Sequence, residues 1–161
     1  MHQPKQQKSP LLSILVAWLL AGTLDITTAL VLFTVRSGKS PLIILKYIAS
    51  AVFGHSAAYS GGIGMDMAGL LFHYTIAFIF TVLFFLLYPR IHRFINNKYI
   101  AGILYGLFVW MVMNLLLVPL TRIPAHAITW QNALENIVIL MLAIGLPVSL
   151  IAHRYYYGGE K

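Results

Sequence analysis

Acidic side chains are scarce in this chain, and their placement is the first clue to its chemistry. The sequence contains four: Asp25, Asp66, Glu135 and Glu160. Asp25 and Glu135 stand inside long apolar runs, and Asp66 stands at the head of another. A carboxylate at the centre of a membrane helix costs about 2.5–3.5 kcal/mol on insertion scales, so it must face protein or water rather than lipid. His73, Asn114 and Asn136 occupy similar apolar surroundings. A carboxylate near an imidazole can hold and pass a proton, and carboxylates with amides can hold a small polar solute. Asp25, His73, Asn114, Glu135 and Asn136 are therefore the candidate proton- or solute-binding residues. The competing reading is structural. Asn114, Thr27 and Thr28 are residue types that commonly supply hydrogen bonds between membrane helices.

Asp25, His73 and Glu135 could also supply three metal ligands, with His55 or His126 arriving from connecting loops. No H-E-x-x-H or comparable local spacing supports this, so a metal site would rest on tertiary convergence alone. The chain has no cysteine, which excludes disulfides, thiol catalysis and thiolate metal sites. There is no G-x-S-x-G, no P-loop and no dinucleotide fingerprint, and Gly61-Gly62-Ile63-Gly64 opens no βαβ unit. No cofactor is implied. A membrane enzyme ranks behind both a transport or proton-responsive protein and a non-catalytic accessory or assembly component.

The elements that must position these residues follow from composition. Sixty per cent of residues are hydrophobic and 9% charged, with mean hydropathy +0.82. A soluble domain carries roughly 25% charged residues, so this chain needs lipid as its solvent. The net charge of +7 comes from 11 Lys and Arg against four acids. These cations flank apolar runs instead of forming a patch interleaved with aromatics, so the expected partner is the lipid bilayer and not nucleic acid.

A helix rising 1.5 Å per residue needs about 20 apolar residues to cross the hydrocarbon core. Four runs qualify, at about 11–35, 67–88, 99–120 and 127–152, the second ending at Pro89-Arg90. The expected fold is an all-α membrane protein, a four-transmembrane-helix bundle forming a single domain over residues 1–161. The run 41–54 is too short to span and contains Lys46, so it is expected as one extra interfacial helix. The glycine-rich stretch Ser60-Gly61-Gly62-Ile63-Gly64 reads as a loop. The first run, at 25 residues, exceeds a typical signal-peptide core of about 7–15, so it is expected to stay uncleaved.

Lys5, Lys8, Arg90, Arg93, Lys98, Arg154 and Lys161 fall on one side of such a bundle, and Arg36, Lys39, Lys46 and Arg122 on the other. The excess of Lys and Arg marks the cytoplasmic side, which puts both termini in the cytoplasm. Counted from the outer helix ends, Asp25, His73, Asn114, Glu135 and Asn136 all fall roughly 9–15 Å deep, in one polar layer. Ala21, Gly22, Asp25, Thr28 and Ala29 share a helix face; so do Gly69, His73 and Ala77, and so do Gln131, Asn132, Glu135 and Leu142. Gly102-x-x-x-Gly106 suits close helix packing, either within the chain or in a homo-oligomer. His92 and His153 read as interface residues, and the Tyr155–Tyr157 run with Tyr88, Tyr99, Tyr105 and Trp130 as aromatic belt.

The second half also resembles a known family. Leu70-Leu71-Phe72-His73-Tyr74 leading to Tyr88-Pro89-Arg90-Ile91, with Ala101-Gly102-Ile103-Leu104-Tyr105-Gly106, is similar to the YagU-like family of bacterial inner-membrane proteins. Val118-Pro119-Leu120 with Pro124, and Glu135-Asn136, extend the resemblance over about residues 67–145. It implies a small multi-spanning inner-membrane protein, with His73 and Glu135-Asn136 at matching polar positions and no established catalytic role to transfer. The first helix and the loop from Arg36 to Asp66 depart from that pattern.

Overall fold

A computed structural model describes residues 9–123 and 129–158. Lys5, Lys8, Pro124, His126, Glu160 and Lys161 lie outside the described residues. Four helices are long and apolar enough to cross a membrane: α1 (Pro10–Ser37), α4 (Gly62–Phe94), α5 (Lys98–Leu120) and α6 (Trp130–Tyr157). Between the first two lie the short helices α2 (Leu42–Phe53) and α3 (His55–Ser60). Among the described residues there is no strand. The chain is a multi-pass membrane protein with an all-α, four-helix membrane bundle.

The helices are longer than hydropathy alone indicates. α4 begins at Gly62, inside the stretch expected to be a loop, and runs through Pro89 to Phe94 instead of stopping there. Glycine lowers helix propensity without forbidding a helix, and a single proline near a helix end removes one backbone hydrogen bond, so neither residue stops α4. α5 starts where Asn97 accepts from the Tyr99 and Ile100 amides, and α6 where Thr129 accepts from Asn132 N. These are N-caps that satisfy amides left over by the first turn.

One half of the bundle is closed and the other is open. At the end holding the start of α1 and the finish of α6, a core forms from Phe84, Phe85, Tyr88, Tyr105, Val109 and Val148, with small residues at Ala17, Ala101 and Ala152. Interhelical hydrogen bonds lock it. Tyr105 donates to the Phe80 carbonyl at 2.6 Å, Tyr156 to that of Phe85 at 2.9 Å, and Ser149 to that of Lys98 at 2.6 Å. Tyr88 meets His153 Nδ1 at 3.1 Å and stacks on His92, so both histidines join a packed aromatic cluster at this end, and Tyr88 and Tyr105, expected in the aromatic belt, are buried in the core instead.

The Gly102-x-x-x-Gly106 face is used within the chain. A Cβ on Gly102 would lie 2.8 Å from the Gly145 carbonyl oxygen, and one on Gly106 would run into the Met141 backbone. α5 and α6 therefore touch backbone to backbone there. Both helices widen next to this contact into π turns, Val112–Leu117 in α5 and Met141–Gly145 in α6. In α6 the wider turn changes the register of the face that carries Glu135. Leu142, expected on that face, is 58% exposed instead.

Candidate functional site

The open half of the bundle holds a cavity of about 630 Å³ between α1, α2, α4, α5 and α6. All five candidate residues, Asp25, His73, Asn114, Glu135 and Asn136, line it. They sit in two tiers, not one layer. Asp25 is twelve residues from the end of α1 and His73 eleven from the start of α4, each about 16–18 Å down its helix. Glu135 is five residues into α6 and Asn114 six from the end of α5, about 8–9 Å down.

The deep tier is built on the close approach of α1 to α4. Gly22 makes this approach feasible, because a Cβ there would sit 3.1 Å from the Tyr74 ring and 3.5 Å from Ala77. Trp18 Nε1 donates to the Tyr74 carbonyl at 2.7 Å, and Thr23 bonds the Tyr74 hydroxyl at 2.8 Å. Tyr74 thus anchors α4 on both sides of Gly22, and its neighbour His73 reaches the Gly22 carbonyl through Nε2 at 2.9 Å. A carbonyl only accepts, so Nε2 carries a hydrogen. His73 Nδ1 then faces Asp25 Oδ2 at 4.0 Å, with the two side chains 11% and 19% exposed. When His73 is neutral, Nδ1 is an acceptor and so is an ionised Asp25. The pair then lacks one proton for an attractive contact, and that proton can reside on either residue.

The upper tier is held by an ion pair that joins residues 99 apart in sequence. Arg36 donates to Glu135 Oε2 at 2.6 Å and approaches Oε1 at 2.5 Å, a two-pronged contact across the cavity from α1 to α6. Among the described residues no other side-chain hydrogen bond joins these two helices. Arg36 is 58% exposed and Glu135 30%, which places this pair at the mouth and Asp25 with His73 at the floor. Sequence reasoning took Arg36 for a flanking charge. A signal was present, however: Arg36 is eleven residues from Asp25, three helical turns along the same face.

The rest of the wall is mostly apolar, with the rings of Phe33, Phe80 and Trp110 among it. Asn114 Nδ2 donates to the Trp110 carbonyl at 3.0 Å, within its own helix, so it does not bridge helices. Trp110 Nε1 is buried without a hydrogen-bond partner among the described residues. α2 covers one side of the cavity with Ile44, Tyr47 and Ile48, and its other face packs on α4, where a Cβ on Gly69 would strike the Leu45 backbone.

Among the described residues, no three His, Asp or Glu side chains gather as a metal-binding group. Glu135 is engaged by Arg36 away from Asp25 and His73, and His55 stacks on Tyr59 in α3. Asp66 does not line the cavity. It is 5% exposed in α4, and its Oδ1 has no hydrogen-bond partner among the described residues. No family model, curated protein or solved structure matches this chain.

Proposed function

We propose that this protein takes up a proton at the Asp25–His73 pair from the outer side of a bacterial inner membrane, and couples it to a small solute bound in the cavity above. The orientation rests on the excess of Lys and Arg at the end holding both termini, which makes that end cytoplasmic. The likeness of residues 67–145 to YagU-like proteins points to the same membrane. The closed half of the bundle then lies inward and the cavity opens outward.

One observation carries the reading. The Gly22 carbonyl fixes the hydrogen of His73 on Nε2, which turns the other nitrogen toward the Asp25 carboxylate at 4.0 Å. A purely structural polar layer is the alternative. His73 and Glu135 do bridge helices, to the Gly22 carbonyl and to Arg36, but among the described residues Asn114 bonds its own helix and the Asp25 carboxylate faces His73 at 4.0 Å, beyond hydrogen-bond distance, so this carboxylate does not serve as interhelical glue.

The test is a proton count on protein in lipid nanodiscs, titrated from about pH 5 to pH 8, the range in which histidine-linked groups titrate. Wild type should take up a proton in this range that Asp25→Asn and His73→Gln each alter. If the titration curves of both variants superpose on wild type, the pair does not bind a proton and the reading fails.

A further inference from the structure

Among the described residues the charges on the cavity wall do not balance, and the imbalance points to a class of ligand. α1 contributes Asp25 and Arg36, α6 contributes Glu135, α4 contributes His73 and α2 contributes the Tyr47 phenol, while α5 contributes no titratable group. Arg36 and Glu135 neutralise each other at the mouth. With His73 neutral, the floor is left with the single negative charge of Asp25. Elsewhere the wall is mostly apolar, with the uncharged side chains of Asn114, Asn132 and Asn136 toward the α5 and α6 side and the rings of Phe33, Phe80 and Trp110 among the lining.

We propose that the cavity binds hydrophobic organic monocations at Asp25, in exchange for the proton of the Asp25–His73 pair. The ligand class is a protonated or quaternary amine, or a phosphonium, carrying aliphatic or aromatic groups. This rests on the proton-binding reading above and adds the identity of the exchanged solute.

Three features select this class. A volume of about 630 Å³ falls in the range of drug-sized ligand sites, roughly 300–1,000 Å³. A carboxylate in a mostly apolar cavity that also carries aromatic rings favours a cation with a weakly hydrated, apolar surface. A small inorganic cation would need several converging ligands, and among the described residues no third His, Asp or Glu joins Asp25 and His73. An anion would find the Arg36 guanidinium already paired with Glu135. Proton and organic cation compete for one carboxylate, so binding of the cation releases the proton to solvent and conserves the charge of the site.

Tetraphenylphosphonium is the probe, measured by titration calorimetry on the full chain in nanodiscs, in buffers of differing ionisation enthalpy to count protons. The expected result is one saturable site that releases up to one proton per cation. Where the pair is protonated, affinity should rise about tenfold per pH unit, as one-proton linkage requires. Asp25→Asn should weaken binding at least tenfold, whereas Asp66→Asn, which alters an acid outside the cavity, should leave it unchanged. Tetraphenylborate, of the same shape and opposite charge, should show no Asp25-dependent binding. Equal binding of the two ions, or undiminished phosphonium binding by Asp25→Asn, overturns the proposal. Should Asp25→Asn fail to fold, the wild-type pH slope and the comparison of the two ions decide the matter. Proton uptake altered by Asp25→Asn without phosphonium binding would discard this ligand class and leave the proton reading standing. Proton uptake indifferent to both Asp25→Asn and His73→Gln would remove both.

Discussion

Arg36 and Glu135 meet at 2.6 Å across the mouth of the cavity, and theirs is the side-chain hydrogen bond that ties α1 to α6 among the described residues. Below them the two helices flank the passage to Asp25. Breaking the pair should therefore open the cavity to reagents. The chain has no cysteine, so single cysteines can report this directly. A cysteine at Ala133 or Asn114 should react faster with a water-soluble thiol reagent when Arg36→Gln or Glu135→Gln is added. The charge-swapped pair Arg36→Glu with Glu135→Arg should return the rate toward that of the parent. Unchanged rates in both single variants would show that the pair does not guard the mouth.

Two glycines of α4 should respond in opposite directions to the same substitution. At Gly69 a Cβ meets the Leu45 backbone, which cannot yield without moving α2, whereas nothing lies within 4 Å of a Cβ at Gly64. Gly69→Ala should destabilise by about 1–3 kcal/mol, as overpacking typically does. Gly64→Ala should be neutral or stabilising by up to about 1 kcal/mol. Thermal or denaturant unfolding in a mild detergent reads both. Comparable stability of the two variants would mean that α2 does not rest on Gly69.

Helix α2 should lie at the membrane interface over the cavity and not cross the bilayer. Spin labels at Leu42, Val52 and Phe53, which are exposed, should be mobile or lipid-accessible. Labels at Leu45 and Ala49, which are buried, should be immobilised. Uniform burial along the whole segment would indicate instead that it dips into the membrane and returns.

The orientation predicts reporter locations. A fusion near Gly62 should report the outside, and fusions at Asn96 and the C-terminus the cytoplasm. A periplasmic signal from Asn96 would invert the protein and turn the cavity toward the cytoplasm.

The four spans are legible in the sequence because length and apolarity alone decide whether a segment crosses lipid. The residue types of the cavity are legible for a related reason: Asp25, His73 and Glu135 are too expensive in lipid to be placed without a protein or water environment. Their depths are less legible. The single polar layer was counted from a second helix starting at 67 and a fourth at 127, but α4 starts at Gly62 and α6 at Trp130. Composition marks Gly61–Gly64 as a loop, whereas α4 begins at Gly62, because glycine weakens a helix without excluding it. The pairing of Arg36 with Glu135 links residues 99 positions apart, and no local pattern carries such a contact. The shift of Leu142 off the Glu135 face comes from a π turn, which helical periodicity does not anticipate.

The central claim is that His73 keeps its hydrogen on Nε2, against the Gly22 carbonyl, and offers Nδ1 to a proton shared with Asp25. Nitrogen-15 NMR of histidine-labelled protein in lipid, with His73→Gln assigning the resonance, observes both ring nitrogens separately. The account predicts a neutral ring protonated on Nε2 at high pH and a ring protonated on both nitrogens at low pH, with a midpoint that moves in Asp25→Asn. A neutral ring protonated on Nδ1, or a His73 signal indifferent to both pH and Asp25, would contradict it.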